Sequence, residues 1–159
     1  MNSSRSCAPP HLRAGFTLVE IMIVVVIIGL LAALAIPSLQ RVQQKSKKSR
    51  FVNDLRIFTQ AFEAYSLENG NWPPNVGAGV VPAGLTTSLQ TSVWNAPTVL
   101  GGNWNYDRNI NSIAVAVSVS GSGTDDTRMQ QIDAILDDGD LTTGIFQKIG
   151  SRYMYILVE

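Results

Sequence analysis

The chain has 159 residues, room for one modest domain beside a membrane helix, and its 12 Lys and Arg offset 12 Asp and Glu. Its one histidine and one cysteine, His11 and Cys7, both precede residue 16. Beyond that point no His-based triad, thiol nucleophile, disulfide or Cys/His zinc site can be built. A carboxylate pair is the hydrolase chemistry left open, and nothing in the sequence positions one. The chain is therefore not read as an enzyme.

The charge is unevenly placed. Arg5 and Arg13 stand near the N-terminus. Residues 41–56 carry Arg41, Lys45, Lys47, Lys48, Arg50 and Arg56 against Asp54, a local +5. From residue 57 onward four cations face ten acids, a net of −6. The pattern is a basic collar followed by an acidic head.

Residues 13–37 read RAGFTLVEIMIVVVIIGLLAALAIP. From Phe16 to Ile36 the only charge in 21 positions is Glu20, and a helix of that length spans about 31 Å, enough to cross a bilayer. A carboxylate in such a segment costs roughly 2.5–3.5 kcal/mol at the bilayer centre, less near the interface, and calls for a cationic partner. A secretory signal has its small-residue cut site after the apolar run; here the small residues come before it. Cleavage there leaves the apolar helix as a new N-terminus, an assembly element rather than a discarded address.

Gly15 followed by Phe16, Thr17, Leu18, Val19 and Glu20, then an unbroken apolar run, resembles the N-terminal signal of type IV pilins and type II secretion pseudopilins. The resemblance implies a leader at residues 1–15, cut between Gly15 and Phe16 by a prepilin peptidase that also N-methylates Phe16. It implies that Glu20 pairs with the N-terminal amine of a neighbouring subunit. Gly29 and Pro37 fall where pilins carry helix-loosening residues. One departure is Ala14, where many relatives have Lys or Arg, although Arg13 keeps a positive charge beside the cut. Cys7 would leave with the leader, and the lack of a cysteine pair points toward the pseudopilin branch. The positive-inside rule would put the basic collar in the cytoplasm. The resemblance instead puts the leader inside and the head outside the inner membrane.

The helix is expected to continue past Pro37, which removes one backbone bond and should kink or loosen it. Phe51, Leu55, Phe58, Phe62 and Tyr65 recur at spacings of four, three, four and three, an apolar stripe. Asn69-Gly70 is a good helix end. Residues 16–37 thus form the membrane and filament-core helix, and 38–69 an amphipathic continuation. Residues 70–102 are a Gly/Pro-rich connection, with a short helix expected at Leu85–Gln90 and with Trp72, Trp94 and Trp104 pinning it to the head. Strands are expected at Asn103–Asp107, Ser112–Ser120, Ile145–Ile149 and Tyr153–Val158. The Ser120–Gly123 run reads as a turn. Asp125 or Asp126 should cap a short helix that turns Met129, Ile132 and Leu136 inward. The fold class is α+β and pilin-like: a long N-terminal helix on a small antiparallel sheet.

Asp133, Asp137, Asp138 and Asp140 gather around Gly139. Calcium takes six to eight oxygen ligands, and acids on a turn supply several. The spacing is not that of an EF-hand, and aspartates beside glycine are also ordinary turn chemistry. Major pseudopilins often carry calcium in a C-terminal loop, so the resemblance makes these four the candidate ligands; no other cofactor is expected. The collar offers DNA only a non-specific electrostatic term, and the nearby aromatics belong to the core stripe, so a membrane-surface or subunit-packing role is preferred.

The reading is a structural subunit of a pilus-like filament, of the type II secretion pseudopilin kind. Its implied partners are prepilin peptidase/N-methyltransferase, like subunits in a homo- or heteropolymer, an inner-membrane assembly platform and membrane lipid; nucleic acid is not expected. Alternatives are a minor pilin of a DNA-uptake or adhesion pilus, and a single-span membrane-anchored binding module.

Overall fold

The computed structural model describes residues 15–110, 112–121, 123 and 125–159. The expected leader up to Ala14, with Cys7, His11 and Arg13, lies outside the described residues, as does Ser122 of the expected turn. In chain order the elements are α1 (Leu18–Asn69), α2 (Thr91–Trp94), β1 (Asn103–Ile110), β2 (Ile113–Ser120), α3 (Asp126–Leu136), β3 (Phe146–Ile149) and β4 (Arg152–Val158). The chain divides into two compact units, one ending at Val42 and the other beginning at Gln43.

In the first unit the large apolar side chains from Phe16 to Val42 are exposed. The helix is continuous through Gly29 and Pro37. A window of 18 residues in α1 reaches a mean hydropathy of 3.0 with none of it buried, so length and composition suffice to cross a membrane.

The second unit is α+β. Its four strands form one antiparallel sheet in the order β1-β2-β4-β3. The register sets Tyr106, Val117, Tyr155 and Phe146 side by side, with Trp104, Val119 and Tyr153 in the next row. This face meets the stripe of α1, where Phe51, Leu55, Phe58 and Phe62 are buried. Phe51 stacks on Trp104 at 4.9 Å and Phe62 on Tyr106 at 4.5 Å, while Phe58 meets Trp94 and Trp104 edge-on, each at 5.0 Å. Each such pair adds about 0.5–1.5 kcal/mol beyond the area it buries. After Asn69 the chain leaves the helix at Gly70, whose φ of 68° suits a residue without Cβ.

The connection from 70 to 102 is tied down by backbone bonds rather than regular structure. The Trp94 indole donates to the Val80 carbonyl at 2.8 Å, Arg108 donates to that of Trp72 at 2.8 Å, and the Gly79 amide to that of Trp104 at 2.7 Å. The helical turn falls at Thr91–Trp94 instead of Leu85–Gln90. Leu85 and Leu89 both reach the core through a single turn closed by the Leu89 amide on the Leu85 carbonyl at 2.8 Å, which is not propagated.

The opposite face of the sheet carries a buried polar network. Asp107, 1% exposed, accepts from Asn105 at 2.8 Å and also from Ser118 and Arg152. A buried carboxylate is tolerable only with such partners.

α3 starts at Asp125, whose carboxylate accepts from the Thr127 amide at 3.2 Å. The next residue, Asp126, holds Lys148 of β3 at 2.7 Å and accepts from Tyr153 of β4, so the start of the helix is tied to the sheet twice. Asp125→Ala should cost about 1 kcal/mol, the usual loss of an N-cap. Denaturant unfolding of the solubilised chain, followed by fluorescence of its three tryptophans, would measure it.

Candidate functional site

At the N-terminal end, Gly15 and Phe16 precede α1. Phe16 is 84% exposed, and nothing lies within 4 Å of where a Cβ on Gly15 would stand. Thr17 is the residue before the helix, and Glu20 lies in its first turn. Glu20 Oε2 accepts from the Thr17 amide at 3.0 Å and from the Thr17 hydroxyl at 2.8 Å, while the Glu20 amide donates to that hydroxyl at 3.2 Å. This is a capping box, Thr-x-x-Glu, in which two side chains satisfy backbone donors that the first turn leaves orphaned. Sequence reasoning focused on the charge of Glu20 and missed this bond, although the spacing from Thr17 announced it. Both side-chain bonds fall on one carboxylate oxygen.

The second candidate lies after α3. Met129, Ile132, Asp133 and Leu136 occupy one face of that helix, so an acid stands in the apolar stripe. Asp133 is fully buried, and neither of its carboxylate oxygens meets a donor at full hydrogen-bond geometry among the described residues. Burial, then the charges of Asp138 and Asp137 and a hydrogen bond shared with Asp138, push its carboxyl up to about 6, with the Gly139 amide opposing weakly. One carboxylate oxygen from each of Asp133, Asp137 and Asp138 lies within 4.8 Å of the others.

Loop bonds set the other two acids. Asp137 accepts from the Ile145 amide at 2.6 Å. Asp138 accepts from the Asp140 amide and the Thr143 hydroxyl, each at 2.8 Å, and these bonds hold its carboxyl below the usual range. A Cβ on Gly144, where φ is 76°, would collide with the Asp137 carboxylate. Asp140 is not in the cluster. Its Oδ1 accepts from the Thr142 amide at 3.0 Å and hydroxyl at 2.7 Å, which turns the side chain toward Thr142.

Ligands on opposite sides of one calcium ion stand up to about 5 Å apart, and all three donors are hard oxygens. The cluster fits that ion in spacing and chemistry. Buried and poorly supplied with donors, Asp133 is the group that most needs a cation.

The collar is the third feature. Arg41, Lys45, Lys47 and Arg50 are exposed and Lys48 is half-buried, and Phe51 is the first buried residue of α1.

Residues 11–36 match the family described as the prokaryotic N-terminal methylation motif. The N-terminal region is similar to that of type IV pilins and type II secretion pseudopilins. The chain is 44% identical over 61 residues to the type II secretion system core protein G of Escherichia coli K12, covering 38% of this chain and 42% of that protein. To the protein of the same name from Vibrio cholerae it is 38% identical over 61 residues, 38% of this chain and 43% of that one. To the type IV major pilin protein PilE1 of Neisseria gonorrhoeae it is 41% identical over 69 residues, 43% of this chain and 32% of the pilin. The chain thus spans less than half the length of these pilin and pseudopilin relatives. No solved structure matches it significantly. The four-stranded antiparallel sheet beneath a long N-terminal helix is consistent with a pilin-like fold.

Proposed function

We propose that this pilin-like chain is a structural subunit of a filament of the type II secretion pseudopilin kind. The observation that supports it best is the coincidence of two features. The methylation motif covers residues 11–36, and most of that stretch lies in a helix whose apolar side chains find no cover in the chain itself. Exposed apolar surface of this extent needs a partner, and lipid first and like helices later would supply it.

In this reading the leader is cut between Gly15 and Phe16 by a prepilin peptidase, which N-methylates Phe16. The new amine keeps its positive charge. The subunit waits in the bacterial inner membrane as a single-span protein with its head on the periplasmic side. Glu20 of the subunit entering the filament then meets the amine of a neighbour, on a platform in the inner membrane, and the apolar helices exchange lipid contacts for one another. Asp133, Asp137 and Asp138 hold a calcium ion that stiffens the turn before β3.

The deciding experiment is intact mass and N-terminal sequencing of the membrane-extracted chain after co-expression with a prepilin peptidase. A chain beginning at N-methylated Phe16 is expected. An uncut chain, or one cut after Ile36, would overturn the reading in favour of a signal anchor or a secreted module.

A further inference from the structure

The collar has a distribution that a protein partner does not require. Helical residues advance by about 100° each, so Arg41, Lys45, Lys47, Lys48 and Arg50 point to roughly 0°, 40°, 240°, 340° and 180° about the axis of α1. No gap between them exceeds about 140°. A partner subunit or a nucleic-acid groove meets one face of a helix and rewards a stripe. A bilayer surrounds the helix that crosses it and rewards a ring.

The depth also agrees. Counted at about 1.5 Å per residue, Arg41 lies about 7.5 Å beyond Ile36, the thickness of one polar headgroup layer. The other four follow within about 14 Å. Their long side chains reach back toward the surface, and the field of an anionic surface extends about 8–10 Å at ordinary salt.

The chain itself does little to neutralise these charges. Among the described residues, Arg50 pairs with Asp54 at 3.8 Å on the helix surface, and Lys48 donates to the uncharged Gln131 side chain. Phosphate oxygens are the natural acceptors for the remainder.

We propose that Arg41, Lys45, Lys47, Lys48 and Arg50 form a ring that binds anionic phospholipid headgroups around the helix. The ring holds these lipids while the helix spans the bilayer, and it must release them when a subunit leaves the membrane. This rests on the reading of the apolar segment as a membrane span.

The test uses the full chain in phosphatidylcholine vesicles with and without phosphatidylglycerol. Flotation reports whether it inserts, and extraction in polymer-bounded discs reports which lipids surround it. Wild type should float with both vesicles and carry several-fold more phosphatidylglycerol than the bulk. That enrichment should vanish at about 0.5 M salt, where the Debye length falls to a few ångströms. R41Q/K45Q/K47Q/K48Q/R50Q should float equally but lose the enrichment, and K45R/K47R/K48R should keep it. Equal enrichment in wild type and the glutamine variant, or none in either, would overturn the ring while leaving the span intact. Failure to float removes the span and the ring together. Salt-sensitive cross-linked dimers in phosphatidylcholine alone would hand the ring to a second copy, and salt-sensitive DNA retention would hand it to nucleic acid; either refutes the lipid assignment.

Discussion

Glu20→Gln should leave processing at Gly15–Phe16 intact and suppress filament assembly by two to almost four powers of ten in subunit association, as does Glu20→Ala. The figure follows from removing one partner of a pair held away from water, about 3–5 kcal/mol, at about 1.4 kcal/mol for each tenfold change. The glutamine variant matters more than the alanine one, because of what Glu20 does within its own chain. Its carboxylate accepts both Thr17 bonds of the capping box, and glutamine serves in that position as well as glutamate. Glutamine therefore keeps the helix start and removes only the charge. Thr17→Ala does the reverse: it weakens the cap by about 1 kcal/mol and leaves the charge in place. The proposed pairing requires Glu20→Gln to fail and Thr17→Ala to assemble, with filaments counted by electron microscopy and cleavage followed by mass. If Glu20→Gln built normal filaments, Glu20 would be a cap and nothing more.

Much of the head was legible because its signals are local and repeated. The stripe Phe51, Leu55, Phe58, Phe62 fixes which side of α1 is buried, and Gly70 fixes where the helix stops, since its φ of 68° is one that other residues avoid. Alternation in SIAVAVSVS gave β2 to within a residue. β1 runs three residues further than NWNYD suggests, because Arg108 and Ile110 are held by the pairing of Arg108 with Val115 and Ile110 with Ile113 rather than by their own alternation. The displaced α2 has a tertiary cause as well. Leu85 and Leu89 suit a helix by spacing, yet two buried anchors four residues apart need only one turn, and Trp94 must still reach Phe58 and Phe62.

The candidate sites were legible in part, for a related reason. Four acids near a glycine can be counted in a sequence, but which carboxylates converge depends on side chains that the loop itself consumes. Asp140 Oδ1 is held by Thr142, whereas Asp133 is drawn inward by its place between Ile132 and Leu136. The signal for Asp133 was an acid inside an apolar stripe, and it was available at residues 129–136. The signal for the cap was Thr17 three residues before Glu20.

The metal-free chain should lose stability as pH rises from about 4 toward 7, and Asp133→Asn should abolish that loss. The carboxyl of Asp133 stands at about 6 in the fold against 3.8 for the free side chain. The folded state thus holds the proton more tightly than the unfolded one, and stability falls as that proton is given up through this window. The difference amounts to about 3 kcal/mol, with no further change above about pH 7. Asparagine has the shape of the protonated acid and never acquires the charge, so Asp133→Asn should match wild type near pH 4 and exceed it by about 3 kcal/mol at neutral pH in chelator.

Calcium should reverse the order. It binds the ionised cluster and stabilises the fold by about 4.1 kcal/mol at a thousandfold excess over its dissociation constant, more than the roughly 3 kcal/mol it must overcome. That gain should disappear below about pH 5, where protons compete for the same oxygens. In Asp133→Asn the gain should be largely lost at every pH. Melting curves of both proteins, with chelator and with calcium, separate the two effects. If calcium leaves the wild-type midpoint unmoved at neutral pH, there is no ion site, and Asp133 is a buried acid that destabilises the chain. If calcium raises both proteins equally, the ion sits on Asp137 and Asp138 without it.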